Sequence, residues 1–139
     1  MKQITAIAAI LLASLAAAGT ASAQDHAAKA KIPFGFFVGN KWVPAGDYRM
    51  TSDAGNPNAI NIRNTDSSVA LIASARADER QPGAHTLVFT KYGDQYFLHE
   101  ILCSSCGMNV AFSDSRQEKL ARTREASIAA PTDVYLALK

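Results

Sequence analysis

Ile32-Pro-Phe-Gly-Phe-Phe-Val-Gly-Asn-Lys-Trp-Val-Pro-Ala-Gly-Asp-Tyr-Arg-Met50 reads as two strands around a tight turn, followed by a corner and a third extended run. Ile32, Phe34, Phe36 and Val38 fall on every second position, which is the signature of a strand with one side in a core. Phe37 lies on the opposite face and calls for cover from another element. Pro33 has no N–H to give to a ladder, so it belongs at a strand's beginning or on an edge. Gly39-Asn40 supplies the turn, Lys41 to Val43 resumes the extended pattern, and Pro44-Ala45-Gly46-Asp47 bends the chain before Tyr48.

The same grammar continues downstream. Ile60 and Ile62 share a face between the turn clusters 53–58 and 64–67, and Val69, Leu71, Ala73 and Ala75 share one in the next strand. His85 to Lys91 and Gln95 to Cys103 flank Gly93-Asp94, which fits a two-residue hairpin loop whose first position needs positive φ. In an unbroken register Leu87, Phe89, Tyr96, Leu98 and Leu102 gather on one face, and Val88, Phe97, His99 and Ile101 on the other. Ser115-Arg-Gln-Glu118 has capping-box spacing and opens a helix running to about Ser127, with Leu120 as its only large apolar residue. After Pro131 comes a final short strand with Val134, Leu136 and Leu138 alternating. The expected fold is therefore mainly β: a small antiparallel meander forming a barrel-like body, or a sandwich, with one late helix and a last strand.

At the other end, Met1-Lys2 gives a basic start, Ile4 to Ala18 is almost wholly apolar or small, and Ala21-Ser22-Ala23 has the small residues that signal peptidase needs. Residues 1–23 are expected to be a secretory signal, 24–31 a mobile leader without apolar periodicity, and 32–139 a single β-rich domain. The expected location is secreted or periplasmic, with no transmembrane segment in the mature chain. Formal charge is +2 for the whole chain and falls by one with Lys2, acids and bases being interspersed, which argues against a nucleic-acid partner.

The pattern Ile-Pro-Phe-x-Phe-x-Val-Gly followed by Pro44-Ala-Gly-x-Tyr48, together with Leu87-Val-Phe-Thr-Lys-Tyr-Gly-Asp-Gln-Tyr-Phe-Leu98 and Ser115-x-x-Glu118, resembles a group of small, uncharacterised secreted proteins of soil bacteria. The resemblance covers roughly residues 31–125. It implies export and a shared β-rich fold, brings no activity, ligand or catalytic residue with it, and is departed from at Cys103 and Cys106.

Few residues are placed for chemistry. Cys103-Ser-Ser-Cys106 can close a small disulfide, work as a redox dithiol or bind a metal; export favours the disulfide, and no helix start is at hand to lower a thiol pKa. His99, Cys103 and Cys106 make a His-x3-Cys-x2-Cys array that can offer three ligands to copper or zinc, without an evident fourth. Cleavage after Ala23 would expose Gln24-Asp25-His26, whose amine, amides and His26 imidazole form a nitrogen set suited to copper or nickel. Phe34, Phe36, Trp42, Phe89 and Leu98 are candidates to line an apolar ligand pocket. No Gly-x-Ser-x-Gly frame, phosphate-cradling glycine loop or paired carboxylates at catalytic spacing occur, and no motif calls for a cofactor. The sequence thus points to an exported, non-enzymatic module that binds a ligand or serves as an envelope component, with extracytoplasmic metal binding as the alternative.

Overall fold

A computed structural model of the chain describes residues 27–77 and 85–139. The expected signal segment and cleavage site, His26 and the expected turn around 78–83 lie outside the described residues. What is described is mainly β, a half-barrel of antiparallel and mixed sheets with one helix near the C-terminus and a final strand.

The first sheet has the order β1-β4-β5-β6, from β1 (Ala27–Ile32), β4 (Gly46–Ser52), β5 (Ala59–Asn64) and β6 (Ala70–Ser74), all antiparallel. The second runs β11-β8-β9-β10-β7, from β7 (Arg76–Ala77), β8 (Thr86–Tyr92), β9 (Gln95–Cys103), β10 (Met108–Ala111) and β11 (Thr132–Ala137). The opening hairpin, β2 (Phe36–Val38) and β3 (Lys41–Val43), joins it through a parallel contact of Phe37 with Phe97 on β9. Both predicted turns carry the required glycine conformation, with φ of 60° at Gly39 and 58° at Gly93. The alternating apolar residues of the two sheets meet in one core, where Phe36, Tyr48, Met50, Ile62, Phe89 and Ile101 are fully enclosed.

Residues 27–31 are not a free leader. They form β1, paired along its length with β4, and Ala28 and Ala30 are buried opposite Met50 and Tyr48 while Lys29 and Lys31 face outward. The alternation was there, written in alanine, whose small side chains pack beneath the large Met50 and Tyr48 that face them on β4.

The Pro-Ala-Gly corner is tied by Tyr48, whose buried hydroxyl donates to the Pro44 carbonyl at 2.6 Å. Gly46 is required there by space: a Cβ would stand 2.5 Å from Asn64 Nδ2. Asn64 has little freedom to retreat, because its Oδ1 accepts from the backbone N–H groups of Asp66 and Ser67 at 2.8 and 3.1 Å. Gly46→Ala should therefore cost about 2 kcal/mol or more, read as a lowered midpoint in urea unfolding with unchanged slope.

The β8–β9 hairpin departs from the simple register in one place. Phe89 pairs with Leu98 and Val88 with Glu100, so His99 is an extra residue, a β-bulge. Beyond it the faces exchange: Ile101 and Cys103 enter the core, and Leu102 moves to the outer side. One inserted residue shifts a period-2 pattern by half a period, which is why the unbroken register misassigned them.

Candidate functional site

The outer face of β8 and β9 is covered at one end by the helix α1 (Arg116–Glu125) and open at the other. Ser115 caps α1, accepting from the Glu118 N–H at 3.1 Å. Half of the expected capping box thus forms. The other half does not, because the Glu118 carboxylate bonds to His99 Nε2 across the gap between helix and sheet. The helix buries little apolar surface: Ala121 packs with Tyr92, Phe97 and the partly covered Phe37, whereas Leu120, its only large apolar residue, is half exposed. Polar bonds supply much of its attachment. Arg122 donates to Asp114 at 2.7 Å and to the Tyr92 hydroxyl at 3.2 Å, and stands 3.8 Å from Glu118.

His99 is the centre of this arrangement. The bulge turns its ring off the ladder and onto the N-terminal turn of α1, where one ligand atom each from His99, Asp114 and Glu118 lie within 4.8 Å of one another. Glu118 is almost fully buried and His99 partly so. His99 also lines an open groove of about 270 Å3 formed with Val88, Thr90, Glu100, Asp133 and Tyr135, in which Thr90 donates to Asp133 at 3.1 Å. The bond to Glu118 raises the His99 pKa above its ordinary 6.5 against the opposing effect of burial, with help from the charges of Asp114 and Asp133. Asp114 is held below the usual carboxylate range by its bond to Arg122, and burial pushes the Tyr92 phenol up.

A pH dependence follows. Because the folded His99 value is raised, the stability from the His99–Glu118 pair is fully present below the unfolded value near 6.5 and is lost as pH rises through the folded value. With chelator present, unfolding midpoints should fall as pH rises through that interval, and His99→Ala should flatten the fall.

The sequence-predicted sites fare differently. Cys103 and Cys106 are bonded to each other as a disulfide with Cα atoms 5.2 Å apart, beside a single turn of 3-10 helix. His99 does not join them: it faces Glu118, and the groove beside the disulfide is lined by His85 instead. The proposed ring of pocket residues is split. Phe36 and Phe89 are sealed in the core, edge-to-face at 5.4 Å, and Leu98 is buried with them. Phe34 stacks on Tyr96 with centroids 3.9 Å apart, and Trp42 is 56% exposed, its indole lying over Gly35. These five side chains fill a core and its margin and do not line one cavity. Asp114 and Glu118 were not singled out as ligands. The available signal was Ser115-x-x-Glu118, which fixes where that carboxylate starts and is silent on the residue it meets.

Comparison with protein-family models, with curated proteins and with solved structures finds no match to this chain. Among the described residues, no helix is long and apolar enough to cross a membrane.

Proposed function

We propose that this is an exported, non-enzymatic β-rich module of the cell envelope, whose distinctive chemistry is a divalent transition-metal site at His99, Asp114 and Glu118. The convergence of those three donors within 4.8 Å carries the proposal. One imidazole and two carboxylates are an N/O set suited to zinc and its neighbours in the first transition row. A bulge re-aims a side chain, and bulges are over-represented next to functional sites. Arg122 now balances the two carboxylates, and its half-exposed side chain has room to swing into water when a dication takes over that charge. His99 must be neutral to ligate, so metal and proton compete for the same nitrogen. Export is supported by the basic start, the apolar run and Ala21-Ser22-Ala23. The Cys103–Cys106 bond suits an oxidising compartment.

The test is intact mass, thiol count and calorimetric zinc titration of protein expressed with its own N-terminal segment. The expected result is cleavage after Ala23, no free thiol, and one zinc bound per chain with affinity rising with pH and lost in His99→Ala. Zinc binding that is absent, or equal in that variant, would refute the metal site; an uncleaved chain would refute export.

A further inference from the structure

The Cys103–Cys106 bond is poorly placed to act as a staple. It joins residues three apart in the chain, and a disulfide that closes so short a loop removes little freedom from the unfolded state. The fold already holds the ends of that loop. Cys103 stands opposite Met108 in the β9–β10 ladder, and the turn between them is closed by the Gly107 N–H donating to the Ser104 carbonyl at 3.1 Å. What the bond does have is access. Both cysteines line an open groove of about 220 Å3, together with His85, Ser105, Leu138 and Lys139. Cys106 is the more exposed of the two, at 9% against 2% for Cys103. Ser105 Oγ lies 3.8 Å from Cys103 Sγ, and because a disulfide sulfur has no proton to give, the hydroxyl is the donor. Among the described residues that line the groove none is acidic, and Lys139 brings positive charge to it, a setting that favours a thiolate.

We propose that Cys103–Cys106 is an exchangeable disulfide that takes two electrons from low-molecular-weight thiols, with Cys106 the sulfur attacked and Cys103 the sulfur released. A thiolate entering the groove attacks Cys106 Sγ. A new sulfur–sulfur bond forms there, the bond to Cys103 breaks, and its electron pair leaves on Cys103 Sγ. The hydrogen bond from Ser105 strengthens as that sulfur gains charge, which makes Cys103 the better leaving group. Cys103 then takes up the proton that the entering thiol gave up and rests as a thiol among the core residues, an environment that suits the neutral form. A second thiolate attacks the outer sulfur of the mixed disulfide, so the oxidised small molecule departs and Cys106 takes the second proton. Two external thiols are oxidised to one disulfide, and one protein disulfide is reduced to two thiols. The groove has the size for a small thiol and not for a folded partner. His99 is bonded to Glu118 and takes no part, so this couple does not depend on the metal site.

The test follows reduction of the oxidised protein by reduced glutathione, with chelator present, by alkylation and intact mass; the same protein in urea gives the reference rate. Native protein should be reduced at no less than about one tenth of the unfolded rate, and the reduced form should stay folded. Ser105→Ala changes an exposed residue, and it should slow the native reaction about threefold or more while leaving the rate in urea unchanged. With oxidised glutathione as the probe, Cys103→Ser should form the mixed disulfide on Cys106 at least about tenfold faster than Cys106→Ser forms it on Cys103. A native rate below one tenth of the reference, a reduced form that unfolds, or the opposite order of the two cysteine variants would overturn the proposal.

Discussion

Phe89→Ala should leave the protein unfolded or at the edge of folding, whereas Trp42→Ala should change its stability by less than about 1 kcal/mol. By residue type the two aromatics belong together, and both read as lining for one pocket. The structure separates them. Phe89 is completely buried in the middle of β8, with Phe34 at 5.2 Å and Phe36 at 5.4 Å in edge-to-face contact. Removing its ring costs the transfer energy of the lost atoms and leaves a cavity between two sheets that cannot close on each other. That is about 3–5 kcal/mol for a fully buried Phe, a large share of the roughly 5–15 kcal/mol a domain has in total. Trp42 is more than half in water, over Gly35 and opposite Phe37 on a short hairpin, so its loss opens no enclosed cavity. Denaturant midpoints of the two variants would decide it. A mild Phe89→Ala would mean that the core is loosely filled there and would return the internal pocket to consideration.

Why the sequence misled at Trp42 and served well at Phe89 is a matter of what period-2 patterning reports. It sorts residues into two faces of a strand and assigns the more apolar one inward. Phe89, Ile60, Ile62 and Leu87 sit in unbroken alternations and were placed correctly. Trp42 sits on a three-residue strand too short to set a face, and its size suggested burial that the neighbouring Gly35 only partly provides. The hairpins at Gly39 and Gly93 were legible because positive φ restricts the choice of residue. The strand β1 was not, since an alternation of alanine and lysine has little apolar contrast until Met50 and Tyr48 are known to face it. The candidate metal site was least legible. His99 reached it through an inserted residue, and Glu118 through a helix start read only for its cap, while Asp114 had no local signal at all.

The second large effect is expected at Glu118, where two substitutions separate a metal site from a purely structural latch. Glu118→Gln keeps the capping bond, because Ser115 accepts from the backbone N–H, and it keeps an acceptor oxygen for His99. It removes only the negative charge. Zinc affinity should then fall by more than about 100-fold, equivalent to roughly 2.7 kcal/mol, with α1 still docked. Glu118→Ala removes the acceptor too, leaving His99 and Arg122 without their shared buried partner. Because His99 is partly exposed, the stability cost should be about 1–3 kcal/mol and not that of a fully buried ion pair. Added zinc should raise the wild-type melting temperature, by the equivalent of about 2.7 kcal/mol when its concentration is 100 times the wild-type Kd, and should raise either variant's by no more than about 0.4 kcal/mol. A latch without a metal function predicts something else: the same order of stabilities, wild type above Gln above Ala, and no zinc-dependent rise in any of the three. Calorimetric scans with zinc and with chelator distinguish these outcomes, because the helix attachment is read from the chelated samples and the metal from the difference between the two.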